Sequence, residues 1–420
     1  MCARVATWLR ALGITQAALL AGLALSAALA PRERALAGAA RVLGRLKGPF
    51  AKLGQLAAVR VDVLAPETRA ALLALRDDVP ALPASWIRAA VERELGASLE
   101  QRFARFDSRP LGAASIAQAH AAQLRDGREV VVKVQYPWLA RTAGIDLALT
   151  RLALRLVVGA SPDDATWREF ARSFASELDF VREAASAQTI AANLSGERSV
   201  HVPRVVSEAS AARVLTVERV ATLPIRRESL LARGVSPAAV LEIVVRAYAR
   251  QIFLDGVFHA DPHAGNLFVI DEPSAAAAPR VLFVDFGLSQ QLGPELRREL
   301  RAGILALLNG KLDEFVAGMQ RMGMIDAGAE PGVRQAVGAM FARIRGAGNA
   351  LALSDERVLA LKDEAQALLF ATPGLALPTD LLLYAKTVTY LFALGRELAP
   401  EANVMKLAAP YLLRFLAARE

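Results

Sequence analysis

Two histidines, an aspartate and an asparagine crowd the stretch FHADPHAGNLF at residues 258–268, in a chain that has only 4 His in 420 residues. His259, Asp261 and His263 could be metal ligands, part of a phosphotransfer loop, or a polar turn. Ligand counting weighs against a zinc cage, because His120 and His201 stand apart and the single cysteine, Cys2, offers no thiolate set. Phosphotransfer fits the spacing better. In a loop H-x-D-x-x-x-x-N the Asp holds the attacking hydroxyl and the Asn ligates a metal, and a later D-F-G supplies a second metal-binding Asp. Asp261 and Asn266 stand at those offsets from His259, and VDFGLS provides Asp285, Phe286 and Gly287. Mg²⁺ selects hard oxygen ligands, which Asn266 and Asp285 offer, while Asp261 is the carboxylate for the nucleophile. His259 and His263 are left to shape the loop.

Such a site needs a cation for the nucleotide phosphates and an element to present it. Asp126-Gly127 is a hairpin signal, and REVVVKVQY after it is the most β-like run in the chain. Lys133 lies in the middle of that strand, the third of a small antiparallel sheet. An isolated strand lysine ordinarily points at water, but upstream of H-x-D and D-F-G it reads as the lysine that reaches the α- and β-phosphates. Its partner is expected to be a glutamate on a following helix. Glu177 shares a helical face with Phe180 and Ala184, though spacing alone does not separate it from Glu183 or Glu169. A glycine-rich loop G-x-G-x-x-G is missing: PLGAASIAQAH has Gly112 as its only glycine, so Ala113, Ala114 and Ser115 must serve in its place. Glu218 and Val220, farther along, complete the candidate nucleotide-binding set.

The remaining pattern is mostly helical. Residues 32–105 show apolar positions at helical spacing, and helical runs fill the chain after Pro137 to about residue 193 and from Pro294 onward. Short strands are expected in HVPRVVSEASAARVLTVERV, NLFVI and RVLFVD, with a long amphipathic helix leading into the opening motif. No regular strand-helix-strand alternation appears, so the expected fold is α+β, a mostly helical, two-lobed, protein-kinase-like architecture. The division reads as an apolar segment over residues 1–31, a helical extension over 32–105, an N-lobe over 106–220 and a C-lobe over 221–420.

Composition supports helices, since the chain is 54% hydrophobic but only 6% aromatic. A formal charge of +8 allows contact with phosphates or anionic lipid, yet no basic tail or aromatic-basic strip points to nucleic acid. One cysteine excludes an intrachain disulfide and suits a cytoplasmic setting. The charge-free run at residues 11–30, ALGITQAALLAGLALSAALA, approaches the ~20 residues that span a bilayer. It is rich in Ala and interrupted by Gln16 and Ser26, so a membrane helix, a soluble packing helix and a secretion signal ending before Pro31 all stay open.

These motifs together resemble the UbiB/AarF family of atypical kinase-like proteins, associated with ubiquinone and isoprenoid-lipid metabolism. KLGQ (Lys52, Gly54, Gln55) looks like the family's K-x-G-Q, GAAS like its alanine-rich nucleotide loop, ELD (Glu177, Asp179) like its E-x-D, and HADPHAGN like its catalytic loop. Ala264 replaces a usual proline, and no catalytic group is lost. The resemblance implies that Glu177 pairs with Lys133 and that the N-terminal helical extension, carrying catalytic Lys52 and Gln55, packs over the active-site cleft where a peptide would lie. It implies ATP and Mg²⁺ as cofactors, with a lipid or quinone precursor and an anionic membrane surface at the inner face of the cytoplasmic membrane as partners. The expected activity is that of an atypical kinase or ATPase. A small-molecule phosphotransferase and a non-catalytic, ATP-switched scaffold are the alternatives.

Overall fold

The computed structural model describes residues 47–50, 52, 81–153, 155, 164–271, 278–346 and 354–418. Chain contacts divide it into two units: residues 1–185 with 204–219, and residues 186–203 with 220–420. Residues 186–203, read from sequence with the N-lobe, thus join the second unit.

The first unit is a four-stranded antiparallel sheet with helices. Helix α1 (Ala84–Leu95) stops at Gly96, whose φ of 63° is the left-handed C-terminal conformation that glycine adopts without steric cost. Helix α2 (Leu99–Arg102) starts in a capping box formed by Ser98 and Gln101. Strands β1 (Phe103–Ala113), β2 (Ala117–Leu124) and β3 (Glu129–Gln135) follow, the last two joined through Gly127 at φ 88°. Along β3, Val130, Val132 and Val134 are buried against Ile87, Val91 and Phe103. Strand periodicity then sends Lys133 to the opposite face of the sheet.

Helices α3 (Leu139–Ala153), α4 (Asp164–Glu177) and α5 (Phe180–Asn193) come next, then strand β4 (Val200–His201) of the second unit and strand β5 (Val214–Glu218), which closes the sheet in the order β1-β2-β3-β5. The expectation of one helix through Glu177, Phe180 and Ala184 is corrected here. The chain breaks after Glu177 because the Asp179 carboxylate accepts the Val181 and Arg182 amides at 3.0 and 3.3 Å, which caps α5 and starts a new helix.

In the second unit, strand β6 (Thr222–Pro224), helix α6 (Arg227–Ala232) and helix α7 (Pro237–Ala249) precede a π-helical turn at Arg250–Asp255. Buried Val240, Leu241, Val244, Val245 and Tyr248 anchor α7. The turn ends at Gly256, φ 69°, and Arg297 donates to the Phe253 and Leu254 carbonyls there at 2.9 and 3.2 Å. Strands β7 (Val257–His259), β8 (Leu267–Ile270), β9 (Val281–Phe283) and β10 (Ser289–Gln291) form two small sheets, β4-β9-β8-β6 and β10-β7. The helical remainder comprises α8 (Pro294–Leu308), α9 (Leu312–Arg321), α10 (Glu330–Gly346), α11 (Asp355–Ala371), α12 (Thr379–Leu398) and α13 (Val404–Ala417). Among the described residues no helix is long and apolar enough to cross a membrane. Residues 11–30, Gln55 and most of the expected helical extension lie outside the described residues.

Candidate phosphotransfer site

The first unit carries the cation half. Lys133 Nζ lies 2.8 and 3.0 Å from the two carboxylate oxygens of Glu183, a bidentate pair with the glutamate only 4% exposed. The expected Lys133–Glu177 pair is therefore corrected: Glu177, at the end of α4, bonds Lys52 instead. The Asp179 cap is the cause, since restarting the helix at Phe180 places Glu183, rather than Glu177, in the first turn of the helix that reaches Lys133. A capping Asp a few residues before a glutamate was the signal in the sequence.

The alanine-rich stretch is a tight β1–β2 hairpin, with the Ala114 N–H donating to the Ala117 carbonyl at 2.8 Å. The Tyr136 hydroxyl donates to the Ala114 carbonyl at 2.9 Å, and the Gly48 N–H to the Ser115 carbonyl at 2.7 Å. Burial pushes the Tyr136 hydroxyl far above its ordinary range, so it stays a donor. Lys47 sits 4.1 Å over the Tyr136 ring. The segment carrying Lys52 is thus fastened to the hairpin through Ser115 and to α4 through Glu177. Gly112 has open space where a Cβ would go and no left-handed backbone, so nothing local demands glycine there. Glu218 ends β5 with an oxygen 3.2 Å from the Arg204 amide, and Val220 is the first residue beyond that unit.

The second unit carries the catalytic loop, which His259 organises from full burial. Its Nε2 faces the Val284 and Asp285 carbonyls at 3.0 and 2.8 Å, so that nitrogen carries the proton. Its Nδ1 then accepts from the Asp261 N–H at 3.3 Å and the Tyr248 hydroxyl at 3.1 Å. Burial, against the opposing charges of Asp261 and Asp285, lowers its pKa and keeps it neutral. Burial also holds the Tyr248 hydroxyl protonated. The side-chain amide oxygen of Gln251, delivered by the π-turn, accepts the His259 backbone N–H at 3.0 Å. With both ring nitrogens committed, His259 is a brace between the loop and the D-F-G backbone rather than a metal ligand. The Phe286 ring meets it edge-on at 5.3 Å.

Asn266 Nδ2 donates to the Asp261 carbonyl at 3.1 Å and to its carboxylate at 3.3 Å. That leaves the amide oxygen as the end offered to a cation. Asp285 takes φ 62°, ψ 76°, a left-handed conformation uncommon outside glycine and often associated with functional sites. His263 Nδ1 accepts the Gly265 N–H at 2.8 Å, and its Nε2 lies 3.4 Å from Asp261 Oδ2. A lysine that sequence reasoning missed completes the group: Lys386 Nζ, from α12, is 2.8 Å from Asp261 Oδ1. Burial works to raise the Asp261 pKa, but the charges of Lys386 and His263 prevail and hold it below the ordinary value. Lys386 lies 125 residues from Asp261, so no local motif could announce it.

Comparison with known proteins identifies the family. The ABC1 atypical kinase-like domain matches residues 74–317. The probable protein kinase UbiB of Xylella fastidiosa strain 9a5c is 32% identical over 397 residues, covering 92% of this chain and 70% of its own. The chloroplastic Arabidopsis thaliana protein Activity of BC1 complex kinase 8 is 30% identical, covering 90% of this chain and 53% of its own. Among solved structures, Mycobacterium tuberculosis Rv3197, crystallised with erythromycin, superposes with a TM-score of 0.50 at 24% identity, covering 85% of this chain and 94% of its own, a likeness of fold. With a kinase-like α+β fold, the expected loop residues gathered around Asp261 and a domain match across more than half its length, the chain belongs to the ABC1, or UbiB/AarF, family of atypical kinase-like proteins.

Proposed function

We propose that this protein binds ATP with Mg²⁺ and transfers or hydrolyses the γ-phosphoryl group, as an atypical kinase or ATPase supporting quinone or isoprenoid-lipid metabolism. The observation that carries the reading is the catalytic loop, in which Asp261 and Asn266 are hydrogen-bonded to each other and braced through His259 to the Asp285 backbone. The donor set suits a hard cation: the amide oxygen of Asn266 and the Asp285 carboxylate are two oxygen ligands, with phosphate oxygens left to complete the shell. When bound, Mg²⁺ would supply charge neutralisation at the β- and γ-phosphates.

In this reading Lys133, oriented by Glu183, contacts the α- and β-phosphates, and Ala113, Ala114 and Ser115 with Gly112 line the phosphate loop. Glu218 and Val220 contact the base end. Asp261 accepts the hydrogen bond of the attacking hydroxyl or water. The tie from Gly48 to Ser115 and the Lys52–Glu177 pair hold the segment of Lys52 to the hairpin and to α4, and with the family membership this favours a small acceptor or water over a peptide. A cytoplasmic location at an anionic membrane surface belongs to the same proposal and draws on the net charge of +8. The test is Mg²⁺-dependent ATP binding by thermal shift, with turnover measured on wild type and Asp285→Asn, beside a lipid and metabolite comparison of a deletion strain and an Asp285→Asn strain. Binding and turnover that survive Asp285→Asn, or no Mg²⁺-dependent binding at all, would sink it.

A further inference from the structure

The catalytic loop at residues 259–266 contains no lysine or arginine, so any fixed cation beside Asp261 must come from elsewhere in the fold. It comes from α12. Lys386 Nζ and Asp261 Oδ1 are 2.8 Å apart, and both side chains are only 7% exposed. The same helix touches the segment after D-F-G, because Gln290 on β10 donates to Asp380 at 2.6 Å in the first turn of α12. Residues 380 and 386 are about 9 Å apart along a helix at ~1.5 Å per residue, so one rigid rod bears on both the catalytic loop and β10. The buried Leu381, Leu382, Leu391 and Phe392 fix that rod in the core of its unit. Helix α12 lies beyond residue 317, where the match to the ABC1 domain ends.

We propose that Lys386 is a positioning residue of the phosphotransfer site, supplied from outside the matched domain, which holds the Asp261 carboxylate in place for the acceptor hydroxyl. The inference rests on the phosphotransfer reading above. A buried ion pair is weak evidence for stability, since desolvation offsets much of its attraction, and its better-attested role is to specify one arrangement. An ammonium has three donors, and the Asp261 bond takes one of them. Other groups face the carboxylate: His263, His259 and Asn266 from the loop, and Tyr248 from α7, with Asp285 acting on His259 from the strand beyond. The Lys386 ammonium makes the shortest contact with the carboxylate, 2.8 Å against 3.3 Å from Asn266 and 3.4 Å from His263. Without Lys386, one Asp261 oxygen loses the bond that fixes the orientation of the carboxylate toward the acceptor hydroxyl.

Two readouts on the full chain test this, with Lys386→Met, Lys386→Arg and, as a control on an exposed site of α13, Lys406→Met. In protein labelled with ¹³C at aspartate side-chain carboxyls, the Asp261 resonance at pH 8, identified by its loss in Asp261→Asn, moves from its wild-type position in Lys386→Met as the ammonium contact is lost. Lys386→Arg and Lys406→Met stay near the wild-type position. In Mg²⁺-ATP turnover, kcat falls about 10- to 100-fold in Lys386→Met with little change in KM, and Lys386→Arg restores most of it. An Asp261 resonance that does not move in Lys386→Met overturns the inference whether or not the protein turns over ATP. Absence of wild-type turnover counts against the phosphotransfer reading alone. Should Lys386→Met fail to fold, a wild-type Asp261 resonance in Lys386→Gln would overturn it equally.

Discussion

A double-mutant cycle on Lys133 separates the two glutamates that sequence reasoning could not. At 2.8 Å and an effective dielectric of about 20, the gross attraction between Lys133 and Glu183 is about 6 kcal/mol. Desolvation takes much of this back, because the glutamate is 4% and the lysine 19% exposed. Glu183→Gln keeps the volume and one acceptor oxygen but removes the charge, leaving a half-sheltered ammonium. The expected coupling between Lys133→Met and Glu183→Gln is about 2 kcal/mol, read from chemical-denaturation midpoints of the four proteins. The coupling of Lys133→Met with Glu177→Gln should stay within about 0.5 kcal/mol, since Glu177 bonds Lys52 instead. Under the phosphotransfer reading, Glu183→Gln also weakens Mg²⁺-ATP binding. Strong coupling to Glu177 with none to Glu183 would refute the assignment and restore the pairing that the motif resemblance implies.

Asp179→Ala should destabilise the protein by about 1 kcal/mol through loss of the α5 cap, while Asp179→Asn stays near wild type; thermal unfolding decides it, and equal losses would contradict a capping role. His120 and His259 both have folded-state pKa values lowered from 6.5 by burial, so the unfolded chain binds more protons between the two values. Their contribution is full above about pH 6.5 and is lost as pH falls, at up to about 1.4 kcal/mol per pH unit for each. Unfolding midpoints from pH 8 to 5 should show the fall, and it should be shallower in His120→Asn, whose amide can reproduce the Nδ1–H bond to the Asp107 carbonyl. Gly256→Ala should cost more than about 1 kcal/mol, because φ is 69° and a Cβ would lie 2.1 Å from Arg297 Nη1, whereas Gly112→Ala, with open space, should leave stability unchanged. Equal unfolding midpoints for the two alanine variants would show that the Arg297 cap is dispensable.

The loop from His259 to Asn266 was legible because its chemistry is local. Offsets of a few residues within one loop fix which of its groups hydrogen-bond one another, as Asn266 does Asp261, and a short motif can encode them. Strand β3 was equally plain, since the alternation of Val130, Val132 and Val134 places Lys133 on the opposite face whatever packs against it. The partner of Lys133 was less plain. A single capping carboxylate at Asp179 divides one apparent helix into two, and that hydrogen bond competes with the helical periodicity on which the choice of Glu177 rested.

What the sequence by itself determined was the order of the chemical groups and the fold class that presents them. The role of Glu177 came only from the tertiary structure, because it depends on where the Lys52 segment is held. The arrival of Lys386 at Asp261 came from there too. Residues on distant helices become neighbours only when cores such as those of α7 and α12 pack, and a buried cation is recognisable only once the carboxylate it faces is in place.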